Sequence, residues 1–200
     1  LDPVLGMTLG RECVNPRPID YTEIYRMDYA FTDGFLTYSD GVHDDFNKSL
    51  WSQLGWNAST DPRIVARDYS RFFFRADVTD AGTDGLFALE SDTRGALASN
   101  GSVAATYHLW KELEQRVSSP GSGWRFKMHL FRACYAHFTR NRLLYETELE
   151  RLALERLAEA SSIGVSQAVQ DAREILDRAV THPSDPELIA RLNTLGEQLF

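Results

Sequence analysis

The chain has 200 residues, 43% of them apolar and 12% aromatic, with a formal net charge of −8 and a pI near 5.1. That length and apolar content support a sizeable buried core. The acidic balance argues against non-specific binding to nucleic acid, whose phosphates need a basic surface. No run approaches eighteen apolar residues, so no transmembrane helix is expected. Cys13 and Cys134 sit in no CxxC pair, which argues against a structural zinc site or a disulfide framework. The chain opens at Leu1 without a charged-then-apolar signal segment and runs straight into patterned sequence, which reads as the C-terminal piece of a longer protein. Its localisation stays open.

Residues 3–13 suit a short helix or turn. Pro16 and Pro18 make 13–19 a loop, because each disfavours helix at its predecessor. Asp20 or Thr22 can cap a helix through Ile24, Tyr25 and Met27. Phe35, Leu36 and Tyr38 are strand formers and predict a short strand over 34–38. Leu50, Trp51 and Leu54 then give helical spacing over about 43–55, with Gly55 as its stop. From Thr60 onward the pattern is helical throughout. Thr60 or Asp61 caps a helix with Pro62 at its first position. Further helices are expected near 79–91 and 102–117, followed by a break at 118–123. Trp124, Met128, Phe131, Tyr135, Phe138, Tyr145, Leu149 and Leu152 predict one long helix, or two nearly collinear ones, up to about Ser161. Gly164 ends it, and helices near 165–181 and 185–199 close the chain.

The expected architecture is mainly α. A short α/β piece at 1–58 precedes an all-helical bundle at 59–200. A lone strand cannot satisfy its own edges, so 34–38 implies upstream strands beside it.

Polar side chains crowd the end of that strand. Ser39, Asp40, His43, Asp44 and Asp45 lie within seven residues. Polar groups at the C-terminal end of a strand, just before a helix, are where (β/α) barrels hold their substrates. Asp40, next to Gly41, is the leading candidate to hold sugar hydroxyls or act as an acid or base; the competing role is a helix cap. His43 is a candidate donor or proton carrier. Tyr38 can stack on a sugar ring or fill the barrel top. Asp44 and Asp45 sit in the first helical turn, where a carboxylate suits the helix dipole. These carboxylates lack the spacing of a calcium loop, and no metal or cofactor is expected. His129 and His137 are expected to be structural, and Phe72, Phe73 and Phe74 to lie in the core between helices.

The runs TLGREC-NPRP at 8–18, DGFLTYSDGVHDDFNKSLWSQLGWN from Asp33, and ARDYSRFFF at 66–74 resemble the C-terminal part of large bacterial proteins with a glycoside-hydrolase-type barrel. The layout is similar to that of α-N-acetylglucosaminidases, α-glucuronidases and β-N-acetylhexosaminidase-like proteins. The likeness is specific only in the YSDGVHDD-NK block and in W-x-x-L-G-W. It implies that 34–38 is the last strand and 43–55 the last helix of a (β/α)8 barrel, with the catalytic carboxylates upstream. Tyr38, Asp40, His43 and Asp44 would then line one wall of the sugar site, the partner being a carbohydrate substrate rather than nucleic acid or membrane. The alternative is a non-catalytic helical binding module. The oligomeric state is open.

Overall fold

A computed structural model describes residues 14–38, 44–117 and 123–199. Eight helices carry the fold among these residues: α1 (Asp20–Asp28), α2 (Asp45–Trp56), α3 (Pro62–Phe73), α4 (Thr79–Ser91), α5 (Ser102–Val117), α6 (Trp124–Ala158), α7 (Val165–Thr181) and α8 (Pro186–Leu199). Local chemistry sets several of their ends. The Asp61 carboxylate accepts from the Arg63 amide at 2.9 Å, and Pro62 opens α3 where its missing N–H costs nothing. Gly164 adopts φ 91°, a conformation natural only to glycine, and turns the chain from the short helical piece Ala160–Ile163 into α7.

Each of α1 to α6 packs mainly on its chain neighbours, and α8 returns to α6. One core runs through them, from Tyr25 and Phe46 by Leu86, Trp110 and Phe126 to Leu188 and Leu195. Gly85 lets α4 and α5 approach, since a Cβ there would stand 3.0 Å from the Trp110 ring. The first half of α6 is buried nearly all round, through Phe126, His129, Leu130, Phe131, Ala133 and Cys134. Its second half buries only Leu149 and Ala153 and pairs with α7 as a two-helix hairpin.

The structure corrects the α/β reading. There is no strand among the described residues. Residues 34–38 follow the 3-10 turn Tyr29–Phe31 without regular structure and join no sheet among the described residues. The Phe35 ring packs edge-on against Tyr25 and Trp51, both 5.5 Å between centroids, while Leu36 and Tyr38 face solvent. Strand propensity is largely the packing of a side chain on neighbouring strands, and none stands here. The expected end of a (β/α)8 barrel is therefore absent among the described residues. So is the likeness in layout to the glycosidases, which stood on it. Gly55 does not stop α2, which runs on to Trp56. Instead its bare Cα admits Phe35, whose ring would lie 2.8 Å from any Cβ placed there.

Candidate functional site

The residues singled out in the sequence divide into two groups. Asp40 and His43 lie outside the described residues. Tyr38 and Asp44 do come together, lining one hollow of about 350 Å³ with Tyr21, Ile24, Leu36, Asn47, Lys48 and Trp51. Three elements build it: α1 gives Tyr21 and Ile24, the irregular segment gives Leu36 to Tyr38, and the first turns of α2 give Asn47, Lys48 and Trp51.

Several polar groups in this hollow are already engaged. Asn47 Oδ1 accepts from the Arg17 amide at 2.8 Å, and Asn47 Nδ2 donates to the Asn15 carbonyl at 2.8 Å and to Asp44 Oδ1 at 3.4 Å. Trp51 Nε1 donates to the Tyr21 carbonyl at 3.1 Å. These bonds pin the start of α1 and the loop before it to α2. The amide N–H groups of Asn47 and the indole N–H are thus unavailable to a polar ligand.

Around the hollow the surface is apolar. Tyr25, Tyr29, Phe35 and Trp51 form a ladder of ring contacts at 5.5 to 6.1 Å. Beyond it stand Met27, Phe31, Leu36, Tyr38 and Trp56, between 71% and 93% exposed. The charged side chains on the same stretch are mostly acidic: Glu23, Asp28 and Asp33 are all exposed. Arg26 is exposed as well, its Nε and Nη2 donating to the Ala58 and Thr60 carbonyls.

A second polar constellation was not read from the sequence. Asp45, at the start of α2, takes a two-pronged ion pair from Arg125 of α6 at 2.6 and 2.9 Å and a hydrogen bond from the Tyr69 hydroxyl at 2.7 Å. Burial pushes the Asp45 carboxyl up, but these bonds outweigh it and hold the group below the usual carboxylate range. Burial and the bond to Asp45 push the Tyr69 hydroxyl far upward, so it stays protonated. Beside them His129 is enclosed, stacked on Trp110 at 5.6 Å and edge-on to Phe74 and Tyr69. Its Nδ1–H donates to the Arg125 carbonyl at 2.7 Å, and Nε2 has no partner. Burial lowers its pKa to about 4.

Two buried carboxylates tie separate segments together, Glu90 through helix-start amides and Asp92 through side-chain hydroxyls. Glu90 of α4 accepts from the Ile19 and Asp20 amides, both at 2.8 Å, closing the start of α1. Asp92 accepts from Ser102 and Thr106 of α5 at 2.9 and 2.8 Å. Burial raises both carboxyls above the ordinary value. These roles link residues ten to seventy-one apart, and no local spacing announces them.

Other expectations resolve individually. His137 stacks flat on Tyr107 at 4.3 Å. Cys134 is a free buried thiol, pushed up to about 12 by its burial. Phe74 is core and Phe73 partly buried, but Phe72 points to solvent, since consecutive helical positions lie 100° apart. No cluster of three or more metal-ligating side chains occurs among the described residues. None of the described helices is long and apolar enough to cross a membrane. No protein-family model, curated protein or solved structure matches the chain.

Proposed function

We propose that this chain is a helical interaction module that docks the apolar face of a partner protein. The surface it offers is made by α1, residues 29–38 and the end of α2. One observation carries the reading: Met27, Phe31, Leu36, Tyr38 and Trp56 crowd a short stretch of fold and all stand exposed. Scattered exposed apolar residues are ordinary, but several large ones set around a ladder of ring contacts suit an interaction surface. Aromatic residues and methionine are also the types enriched at the centres of protein interfaces. Full burial of each such side chain is worth about 1.5–3 kcal/mol. The acidic rim of Glu23, Asp28 and Asp33 favours a partner whose apolar centre is bordered by Lys or Arg.

A sugar is the less favoured ligand for the hollow beneath. Ring faces are present, but the Asn47 amide and the Trp51 indole are already bonded to protein. The carbohydrate reading depends chiefly on Asp40 and His43, outside the described residues.

The test is photo-crosslinking. A benzophenone side chain replaces Leu36, and a control carries it at Glu112, exposed on α5. A discrete protein adduct at 36 and none at 112 is expected. Adducts formed equally at both positions, or adducts only with a second copy of the chain, would remove the proposal. Oligosaccharide binding that Tyr38→Ala abolishes would replace it.

A further inference from the structure

The connection from α4 to α5 is closed by a knot of polar groups with Asn100 at its centre. Asn100 Nδ2 points at three backbone carbonyls, those of Ser91, Asp92 and Arg94, at 3.1, 3.2 and 3.0 Å. That fixes the two ends of the amide, because an oxygen turned that way would face three other oxygens. Asn100 Oδ1 therefore points at α5, where the Ser102 amide donates to it at 3.0 Å. The Ser102 hydroxyl lies 2.7 Å from the same Oδ1 and 2.9 Å from Asp92 Oδ1. Thr106 Oγ1 stands 2.8 Å from Asp92 Oδ1.

These distances leave one hydrogen too few. A hydroxyl carries a single hydrogen, and Ser102 has two oxygen acceptors in reach. With Asp92 ionised, Ser102 donates to one of them and meets the other lone pair to lone pair. A proton on Asp92 Oδ1 completes the set. Asp92 then donates to Ser102, Ser102 to Asn100 and Thr106 to Asp92, one hydrogen to each contact.

A second observation is independent of that count. Asp92 is only 8% exposed, and its Oδ2 is buried with no partner. An ionised carboxylate would leave charge on that bare oxygen, whereas a neutral acid leaves an uncharged carbonyl there. Burial accordingly raises the Asp92 carboxyl above its ordinary value, against the hydroxyl bonds and Arg132 of α6, which lower it. The other charged groups around the connection are engaged elsewhere. Glu90 of α4 holds the Ile19 and Asp20 amides, Arg94 reaches the Asp20 carboxylate, and Arg140 of α6 donates to the Ala98 carbonyl. From α5 the groups on Asp92 are the Ser102 and Thr106 hydroxyls, which do not titrate in this range.

We infer that Asp92 is a proton-operated latch: its protonated carboxyl closes the connection between α4 and α5, and its ionisation loosens that connection. The segment is a junction of the fold, since Arg94 ties it to Asp20 of α1 and the Ala98 carbonyl ties it to Arg140 of α6. The direction of the response follows from the raised carboxyl. The folded chain holds this proton more tightly than the unfolded chain does. The latch therefore contributes fully below the ordinary value of 3.8, and its contribution is lost as pH rises through the folded midpoint. Once Asp92 is ionised, the Ser102 hydrogen turns to the carboxylate, and Asn100 Oδ1 keeps only the Ser102 amide.

The test is NMR of the full chain from about pH 3.5 to 8, a span that covers carboxyl titration. It follows the carbon shift of Asp92 Cγ and the hydrogen-exchange protection of the Ser102 amide, taken relative to the Leu113 amide in the core of the same helix. The Asp92 midpoint is expected above 3.8. Relative protection at Ser102 is expected to fall at least about tenfold as pH rises through that midpoint. In Asp92→Asn the new amide gives Ser102 a hydrogen at every pH, so protection there should stay level. An Asp92 midpoint at or below 3.8 overturns the inference. So does Ser102 protection that ignores the titration, or the same pH-dependent fall in Asp92→Asn.

Discussion

His129 ties the stability of this fold to pH, and the size of the effect follows from its surroundings. The ring is fully enclosed by Trp110, Phe74 and Tyr69, with Arg125 and Asp45 as the nearest charges. Burial holds its pKa near 4, against an ordinary 6.5. The folded state therefore binds this proton less tightly than the unfolded chain does. Stability from His129 is fully present above about pH 6.5 and is lost as pH falls towards 4. At about 1.4 kcal/mol per unit, the loss reaches about 3 kcal/mol. The perturbation is His129→Phe, which keeps the stack on Trp110, removes the unpartnered Nε2 and cannot titrate. Urea unfolding of both proteins at pH 7, 6, 5 and 4 isolates His129 together with its charge coupling to Asp45, since the remaining titrations are shared. The variant should gain about 3 kcal/mol on the wild type between pH 7 and 4. Parallel stability profiles over that range would refute the reasoning.

Further changes test other parts of the account. Asp45→Asn leaves Arg125 without its two-pronged partner, and a loss of about 2–3 kcal/mol is expected in urea unfolding; a loss under 0.5 kcal/mol would show the ion pair to be incidental. Glu90→Gln weakens the cap on the Ile19 and Asp20 amides, and hydrogen exchange at those two amides should speed up before any other in α1. Gly85→Ala, which elsewhere in a helix would gain up to about 1 kcal/mol, should destabilise by about 1–3 kcal/mol because the Trp110 ring is 3.0 Å from the new methyl. A higher melting temperature in that variant would show that α4 and α5 can part without loss.

The helices were legible wherever apolar spacing and breakers agreed. Pro62 after Asp61 announces α3, and Gly164 and the His182-Pro183 pair frame α7. The 35 residues of α6 follow from aromatic and leucine positions recurring every three, four or seven residues. The strand at 34–38 failed because Phe35, Leu36 and Tyr38 suit two different settings. A run of that kind serves equally as a strand wall or as an exposed apolar surface, and only the presence of neighbouring strands tells them apart. Gly55 misled for a related reason. Its purpose is the approach of Phe35 from another segment, not the ending of its own helix.

The candidate surface was half visible. Tyr38 and Asp44 line one hollow with side chains of α1 and α2. What the sequence hid is that Asn47 uses its donor to hold the loop before α1 and Trp51 uses its own on the first turn of α1, thirty or more residues away. Asp45 and Glu90 were equally hidden, since each acts on a helix that chain order alone does not place beside it.

The most direct measurement is calorimetric titration of the protein crosslinked at residue 36 into the purified chain, its Leu36→Asp variant and its Trp56→Ser variant. The account predicts a negative heat-capacity change for wild type, the mark of buried apolar surface. It also predicts at least a tenfold loss of affinity in each variant with unchanged melting temperature. Equal affinity in all three proteins would contradict it.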